Sequence, residues 1–224
     1  MAGQSVFVFP KWTNGIRTLA AVGTVGGGLY VAVVITFGFS PQATDVGYMP
    51  EQPVPYSHRI HAGVLGLDCR YCHNTVERAA KAAVPPVQTC INCHNTIAFD
   101  DKDPRFFRVE KVKKSFASAT PIAWVRVHDL PDYAYFNHSA HVTRGIGCVT
   151  CHGRIDSMDT VYQAEPLSMS WCVDCHRNPE RFLRPLDQIT NMTWVPDQPQ
   201  AELGAQLREK YNINPSTDCS TCHR

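Results

Sequence analysis

Residues 56–73 read Y-S-H-R-I-H-A-G-V-L-G-L-D-C-R-Y-C-H, from Tyr56 through His58, His61, Cys69 and Cys72 to His73. A C-x-x-C-H run is the attachment signature of c-type haem: two thiols add across the porphyrin vinyl groups, and the next histidine reaches the iron from one face. The two upstream histidines are then free to approach irons from the opposite face. This one passage predicts a haem, its proximal ligand and two distal ligands.

The motif accounts for every cysteine. The 10 cysteines fall at 69/72, 90/93, 148/151, 172/175 and 219/222, and His73, His94, His152, His176 and His223 follow the pairs directly. Structural zinc sites need pairs of pairs, which an odd number of pairs cannot supply, and zinc does not demand a histidine after each second cysteine. A disulfide scaffold leaves the constant two-residue gap unexplained. The expectation is five haem c groups, attached through Cys69, Cys72, Cys90, Cys93, Cys148, Cys151, Cys172, Cys175, Cys219 and Cys222, with the five motif histidines as proximal ligands.

The opening pattern recurs. Phe136, His138 and His141 precede Cys148 to His152 as Tyr56, His58 and His61 precede Cys69 to His73, with spacing that differs by one residue. Internal duplication is the simplest account, with units beginning near residues 56 and 136, each followed by a second haem site. The motif at Cys219 is the fifth. Residues 95–135 hold no cysteine but carry Phe106, Phe107 and Trp124, and read as a connector wrapping the haems. Leu203, Leu207 and Tyr211 recur at helical spacing, so Pro199–Tyr211 reads as an amphipathic helix.

Upstream, residues 1–17 carry only Lys11 and Arg17 as charges, and an uncharged run follows from Thr18 to Phe39. That length, as a helix, spans the hydrocarbon of a bilayer. A cleavable signal peptide is the competing reading, but its apolar region runs about 7–15 residues, and Ser40-Pro41-Gln42-Ala43 is a poor cleavage site. The expected layout is a cytoplasmic segment at 1–17, a single transmembrane helix at 18–39, a proline-rich tether at 40–55 and a periplasmic pentahaem domain at 56–224. The positive-inside tendency of Lys11 and Arg17 sets that orientation. Gly23 and Gly27, with Ala20, Thr24 and Gly28, form a small-residue face suited to packing against other membrane subunits.

Five haems need five distal ligands if all are six-coordinate, and five histidines lie outside the motifs: His58, His61, His128, His138 and His141. The repeated H-x-x-H marks four of them. For the fifth, Met169 in Leu167-Ser168-Met169-Ser170-Trp171-Cys172 is preferred, with His128 as its rival. A thioether ligand raises the reduction potential relative to imidazole, so this choice predicts four bis-histidine haems and one histidine/methionine haem. Full coordination leaves no iron open to a substrate, which points to an electron carrier rather than an enzyme acting alone.

A compact chain of this size has a radius of gyration of roughly 16 Å, so the haems must be near neighbours and serve as the core. Mostly irregular structure with few short α-helices is expected. The formal charge of +1 falls to about −4 with five ferric haems and their propionates. Basic residues are scattered among acids, which argues against nucleic-acid binding.

An aromatic residue, then His-x-x-His, ahead of C-x-x-C-H resembles the small cytochromes of the c7/c3 group. The resemblance implies their haem packing, with His58 and His138 serving the haems at Cys69 and Cys148, and His61 and His141 serving other haems. It also places Met169 where a ligand for the following haem is found, aimed at the haem of Cys219 to His223. Over its length the chain resembles the pentahaem membrane-anchored subunit of bacterial alternative complex III. That implies a place in the cytoplasmic membrane, the lipid bilayer and polytopic quinol-oxidising subunits as partners, an iron-sulfur subunit beside them, and a monohaem cytochrome c or terminal oxidase as acceptor. Two alternatives are a membrane-anchored tetrahaem quinol dehydrogenase of the nitrate/nitrite respiratory type and a multihaem reductase with one open haem. The fifth motif and the duplicated H-x-x-H count against the first, as does the lack of a methionine soon after His73. The second is a longer protein that often has lysine in place of a motif histidine, whereas all five motifs here end in histidine.

Overall fold

The run after Arg17 carries no charge, and the backbone satisfies its own polar groups by forming α1, Ile16–Gly38. Its 23 residues extend about 35 Å at 1.5 Å per residue, against about 30 Å of bilayer hydrocarbon. Leu19, Val22, Val25 and Leu29 are all exposed, and no residue of α1 is buried. The helix is long and apolar enough to cross a membrane. Thr24, its polar interruption, donates its hydroxyl to the Ala20 carbonyl at 2.8 Å, so that group needs no water. A Cβ built at Gly23, Gly27 or Gly28 meets nothing within 4 Å among the described residues. This computed structural model describes residues 9–39, 44–97 and 99–224. Residues 1–8 of the expected cytoplasmic segment, and 40–43 of the expected tether, lie outside the described residues.

Met1–Asp45 and Val46–Arg224 are separate compact units. The second contains short helices joined by irregular chain: a single π-helical turn at Arg59–Val64, then α2 (Cys69–Cys72), α3 (Val87–His94), α4 (Phe106–Ala117), α5 (His138–Val142), α6 (Cys148–His152), α7 (Met169–Arg177), α8 (Gln200–Lys210) and α9 (Cys219–Cys222). No strand forms among the described residues; the extended pairings are isolated bridges, Ala134 with His223 and Ile146 with Leu183.

Two small apolar clusters sit at the ends of this unit's chain order. Val54, Ile91 and Val112 pack with Trp124 and Ile122. Leu183, Leu203 and Leu207 pack with Trp194, Tyr211 and Ile146. Burying each such side chain contributes about 1.5–3 kcal/mol, too little across so few residues to order a chain of this length by itself. The second cluster confirms the stripe read from Leu203, Leu207 and Tyr211, and α8 approaches its neighbour so closely that a Cβ at Gly204 would lie 2.0 Å from the Glu180 carbonyl oxygen.

The connector at 95–135 holds a helix that its mixed composition concealed. Val109, Val112 and Phe116 recur at helical spacing in α4, and Val112 is buried. Its Lys111 Nζ donates to the Pro53 carbonyl at 3.0 Å, pinning the helix to the start of the unit.

Candidate haem-binding sites

Each C-x-x-C pair lies within a turn of helix, so its two sulfurs project from one side and the following histidine leaves from the same turn. Local capping starts several of these turns. Asp68 accepts the Arg70 amide at 2.8 Å, and Ser168 accepts the Trp171 amide. Hydrogen bonds from the Arg70 side chain hold the Asp68 carboxyl at about 2. None of the 10 cysteines is paired in a disulfide.

Imidazole tautomers are set by the backbone. His61, His73, His138, His141, His176 and His223 each have Nδ1 within hydrogen-bond distance of a carbonyl: Ser57, Ala83, Ala80, Asn137, Ser216 and Tyr133 respectively. A carbonyl only accepts, so each ring carries its proton on Nδ1 and leaves the Nε2 lone pair for a metal. Burial keeps other rings neutral as well. It lowers His58 to about 4, helped by His73 and His61, lowers His152 to about 3, and depresses His94, His128 and His141.

The rings face one another in pairs. His58 and His73 have centres 6.5 Å apart with planes 5° from parallel, and His138 and His152 repeat this at 6.4 Å and 12°. His61 lies 6.1 Å from His94, and His141 lies 6.1 Å from His176. With metal–nitrogen bonds of about 2 Å and about 1.2 Å from each nitrogen to its ring centre, two imidazoles on opposite sides of one metal ion stand roughly 6.4 Å apart. The four gaps fit an iron atom, and the paired thiols beside them fit covalent haem.

The aromatic residue that opens each repeat has a mechanical role. Tyr56 meets His58 edge-on at 4.9 Å and stacks on His61 at 4.3 Å. Phe136 does the same to His138 at 4.8 Å and His141 at 4.5 Å. One ring thus sets the orientation of two imidazoles.

Motifs that neighbour one another in space are not all neighbours in the chain. Cys72 feels the charges of Cys90 and Cys93, which joins the second motif to the first. Cys69 shares a sulfur hydrogen bond with Cys148, which raises the Cys148 thiol and joins the first to the third. Burial, with Cys175 and Cys172, pushes Cys151 up to about 12, joining the third to the fourth. Cys172 is raised by burial and by Cys222, joining the fourth to the fifth. The neighbouring motifs are therefore second with first, first with third, third with fourth, and fourth with fifth.

Docking between the repeats is reciprocal. The Arg59 amide donates to the Met158 carbonyl at 3.0 Å, and the Ser139 amide donates to the Ala79 carbonyl at 3.2 Å. Met158 and Ala79 occupy the same place after Cys151 and Cys72. An approximate two-fold axis passes between the first and third motifs.

The remaining predicted ligands are not members of these pairs. His128 sits edge-on against His152, with ring centres 4.4 Å apart. His223 is flanked by Tyr133, at 5.9 Å, and the Tyr135 amide donates to the Cys222 carbonyl at 2.6 Å. Met169 begins α7, the helix that also holds Cys172, and it is 65% exposed. Sequence reasoning missed Asp159, which accepts from the Ser57 hydroxyl at 2.6 Å and from Arg59 Nε at 2.9 Å. Nothing in a single sequence marks that carboxylate, because its partners are some 100 residues away.

Comparison with known proteins agrees with this geometry. Residues 134–224 match the family described as cytochrome c7 and related cytochrome c. Residues 39–120 match the class III cytochrome C family. Both matches are to families of cytochromes c, and they cover separate parts of the chain. The multiheme cytochrome c subunit of menaquinone reductase from Nitratidesulfovibrio vulgaris is 28% identical to this chain over 171 residues, 67% of this chain and 79% of that subunit.

Proposed function

We propose that this cytochrome is the electron-relay subunit of a membrane quinone-linked complex, carrying five covalent haems. α1 serves as its anchor in the cytoplasmic membrane and the motif-bearing unit faces the periplasm. Bound haem c supplies a reversible one-electron iron couple. The chain's own residues supply fixed ligation: His58 with His73, His61 with His94, His138 with His152 and His141 with His176. The observation that carries this reading is the single spacing of those four pairs, 6.1–6.5 Å. Rings held by backbone carbonyls and stacked aromatics reorganise little when charge changes, which suits rapid electron exchange.

Met169 is the proposed partner of His223. Cys172, one turn along α7, lies within electrostatic reach of Cys222, and His176 Nδ1 donates to the Ser216 carbonyl at 2.6 Å, so α7 runs beside the fifth motif. The exposed thioether is free of both apolar clusters.

The proposed partners are polytopic quinol-oxidising subunits with an iron-sulfur subunit, as in alternative complex III, and a monohaem cytochrome c or terminal oxidase as acceptor. The relative's name, menaquinone reductase, favours a second reading in which electrons run toward the quinone. Anaerobic mixing of the purified complex with a menaquinol analogue separates them: haem reduction supports the first direction, and oxidation of pre-reduced haems by menaquinone supports the second. In either case the holoprotein is expected to show only low-spin haem and to bind no cyanide; a high-spin signal would sink the relay reading. Met169→Leu is expected to lower the highest-potential component of a redox titration, and an unchanged titration would remove Met169 from the ligand set.

A further inference from the structure

Positive charge is concentrated in and just before α4. Residues 102–114 hold six of the 21 lysines and arginines: Lys102, Arg105, Arg108, Lys111, Lys113 and Lys114. Two acids lie among them, Asp103 and Glu110. Asp103 is taken up by Arg105, and Glu110 reaches Lys114 only at 3.9 Å.

The helix has two unlike faces. Val112 is buried with Val54 and Ile91, and Cys90 packs against the same cluster, so α4 is fixed beside α3, the helix that carries the second motif. Helical spacing puts Phe107, Lys111 and Lys114 on the opposite face, at i, i+4 and i+7, with Arg108 next to them. All four are exposed. Lys111 gives one of its three N–H donors to the Pro53 carbonyl and keeps its charge. Phe107 is 65% exposed, and Phe106 meets its ring edge-on at 5.4 Å.

This face lies next to one end of the succession of neighbouring motifs. The second motif is joined to the first, at Cys72 with Cys90 and Cys93. Burial, His61 and Lys113 together lower His94, so a cation of α4 stands within electrostatic reach of the second motif. An aromatic ring inside a charged rim is the composition of a protein interface, where the aromatic supplies contact and the charges steer the encounter. A lipid surface fits less well, because the apolar face of α4 is already buried and Phe107 alone is left to insert. With its haems the protein is net negative, so its attraction for an acidic partner has to be local.

We propose that the exposed face of α4 is the docking surface for an acidic electron-transfer protein that exchanges electrons with the haem at Cys90–Cys93. Phe107 is the central contact, and Arg108, Lys111 and Lys114 pair with carboxylates of the partner. One electron is exchanged per encounter, so the partner's centre is oxidised as the haem is reduced, or the reverse. This rests on the relay reading of the second motif.

The test is stopped-flow mixing of the oxidised full-length holoprotein, in detergent, with a reduced plant-type ferredoxin, a small acidic [2Fe–2S] protein. Haem reduction is expected to slow as salt rises. Arg108→Glu/Lys114→Glu is expected to slow it about tenfold at low salt and little at high salt, and Phe107→Ala to slow it at every salt, with the low-spin spectrum retained in each. Lys210→Glu changes the net charge as much as Lys114→Glu does and is expected to have a much smaller effect. Equal effects of those two single variants would overturn the inference, and so would an unchanged rate in the double variant. Nanodiscs test the lipid alternative: if replacing phosphatidylcholine by phosphatidylglycerol removes the difference between the unaltered protein and the double variant, headgroups cover the face and the inference falls. Failure of the relay reading is separately visible, because the unaltered holoprotein would then take no electrons from ferredoxin at any salt.

Discussion

The two repeats hold their imidazoles in nearly the same geometry while differing by one residue in the chain that carries them. Between the second histidine and the first cysteine of its motif, the first repeat has the longer linker, Ala62 to Asp68 against Val142 to Gly147. The extra residue is absorbed in the π-helical turn Arg59–Val64, where the Leu65 amide bonds to the Ile60 carbonyl at 2.9 Å. The second repeat makes an ordinary α-helical turn instead, α5. Beyond the turn the registers rejoin: the His61 carbonyl accepts from Leu67, the His141 carbonyl accepts from Ile146, and each donor lies two residues before its cysteine. A π-bulge is how a helix accepts an insertion without moving the residues around it. What the duplication preserves is the placement of rings about a metal-sized gap, and the backbone bends to keep it.

The sharpest way to break the comparison is to remove corresponding ligands. His61→Ala is expected to convert the haem at Cys90–Cys93 to high-spin, and His141→Ala the haem at Cys172–Cys175. Electron paramagnetic resonance should count one converted haem in each variant. Conversion of the haem at Cys69 or Cys148 instead would show that the histidines serve their own motifs.

A smaller effect belongs to the first repeat alone. A Cβ at Gly63, within the π turn, would lie 2.3 Å from the Asp156 carbonyl oxygen. Gly63→Ala must displace backbone, at a cost of about 1–3 kcal/mol. Thermal unfolding of the holoprotein should show the fall in Tm, with the low-spin spectrum retained. The smallest effect concerns Asp159, which clasps Ser57 and Arg59 in the first repeat where the second uses the Ala80 carbonyl. Asp159→Asn is expected to lower Tm slightly, and less so in high salt, because the pair with Arg59 is exposed.

The C-x-x-C-H runs and the duplication were legible because each is a fixed local spacing, and local spacing is visible in one sequence. The α8 stripe at Leu203, Leu207 and Tyr211 was legible for the same reason. α4 was missed because its apolar positions are diluted by Lys111, Lys113 and Lys114, so its burial shows only once α3 is beside it.

By itself, the sequence determined the local pattern: five C-x-x-C-H runs, a doubled H-x-x-H unit, and an apolar segment ahead of them. Only the tertiary structure decided which imidazole faces which, that the first motif neighbours the third as well as the second, and that His128 stands against His152. Each of these depends on contacts between residues far apart in the chain, such as Ser139 with Ala79 or Cys69 with Cys148. Such contacts follow from how short segments dock on one another, which no spacing along the chain encodes.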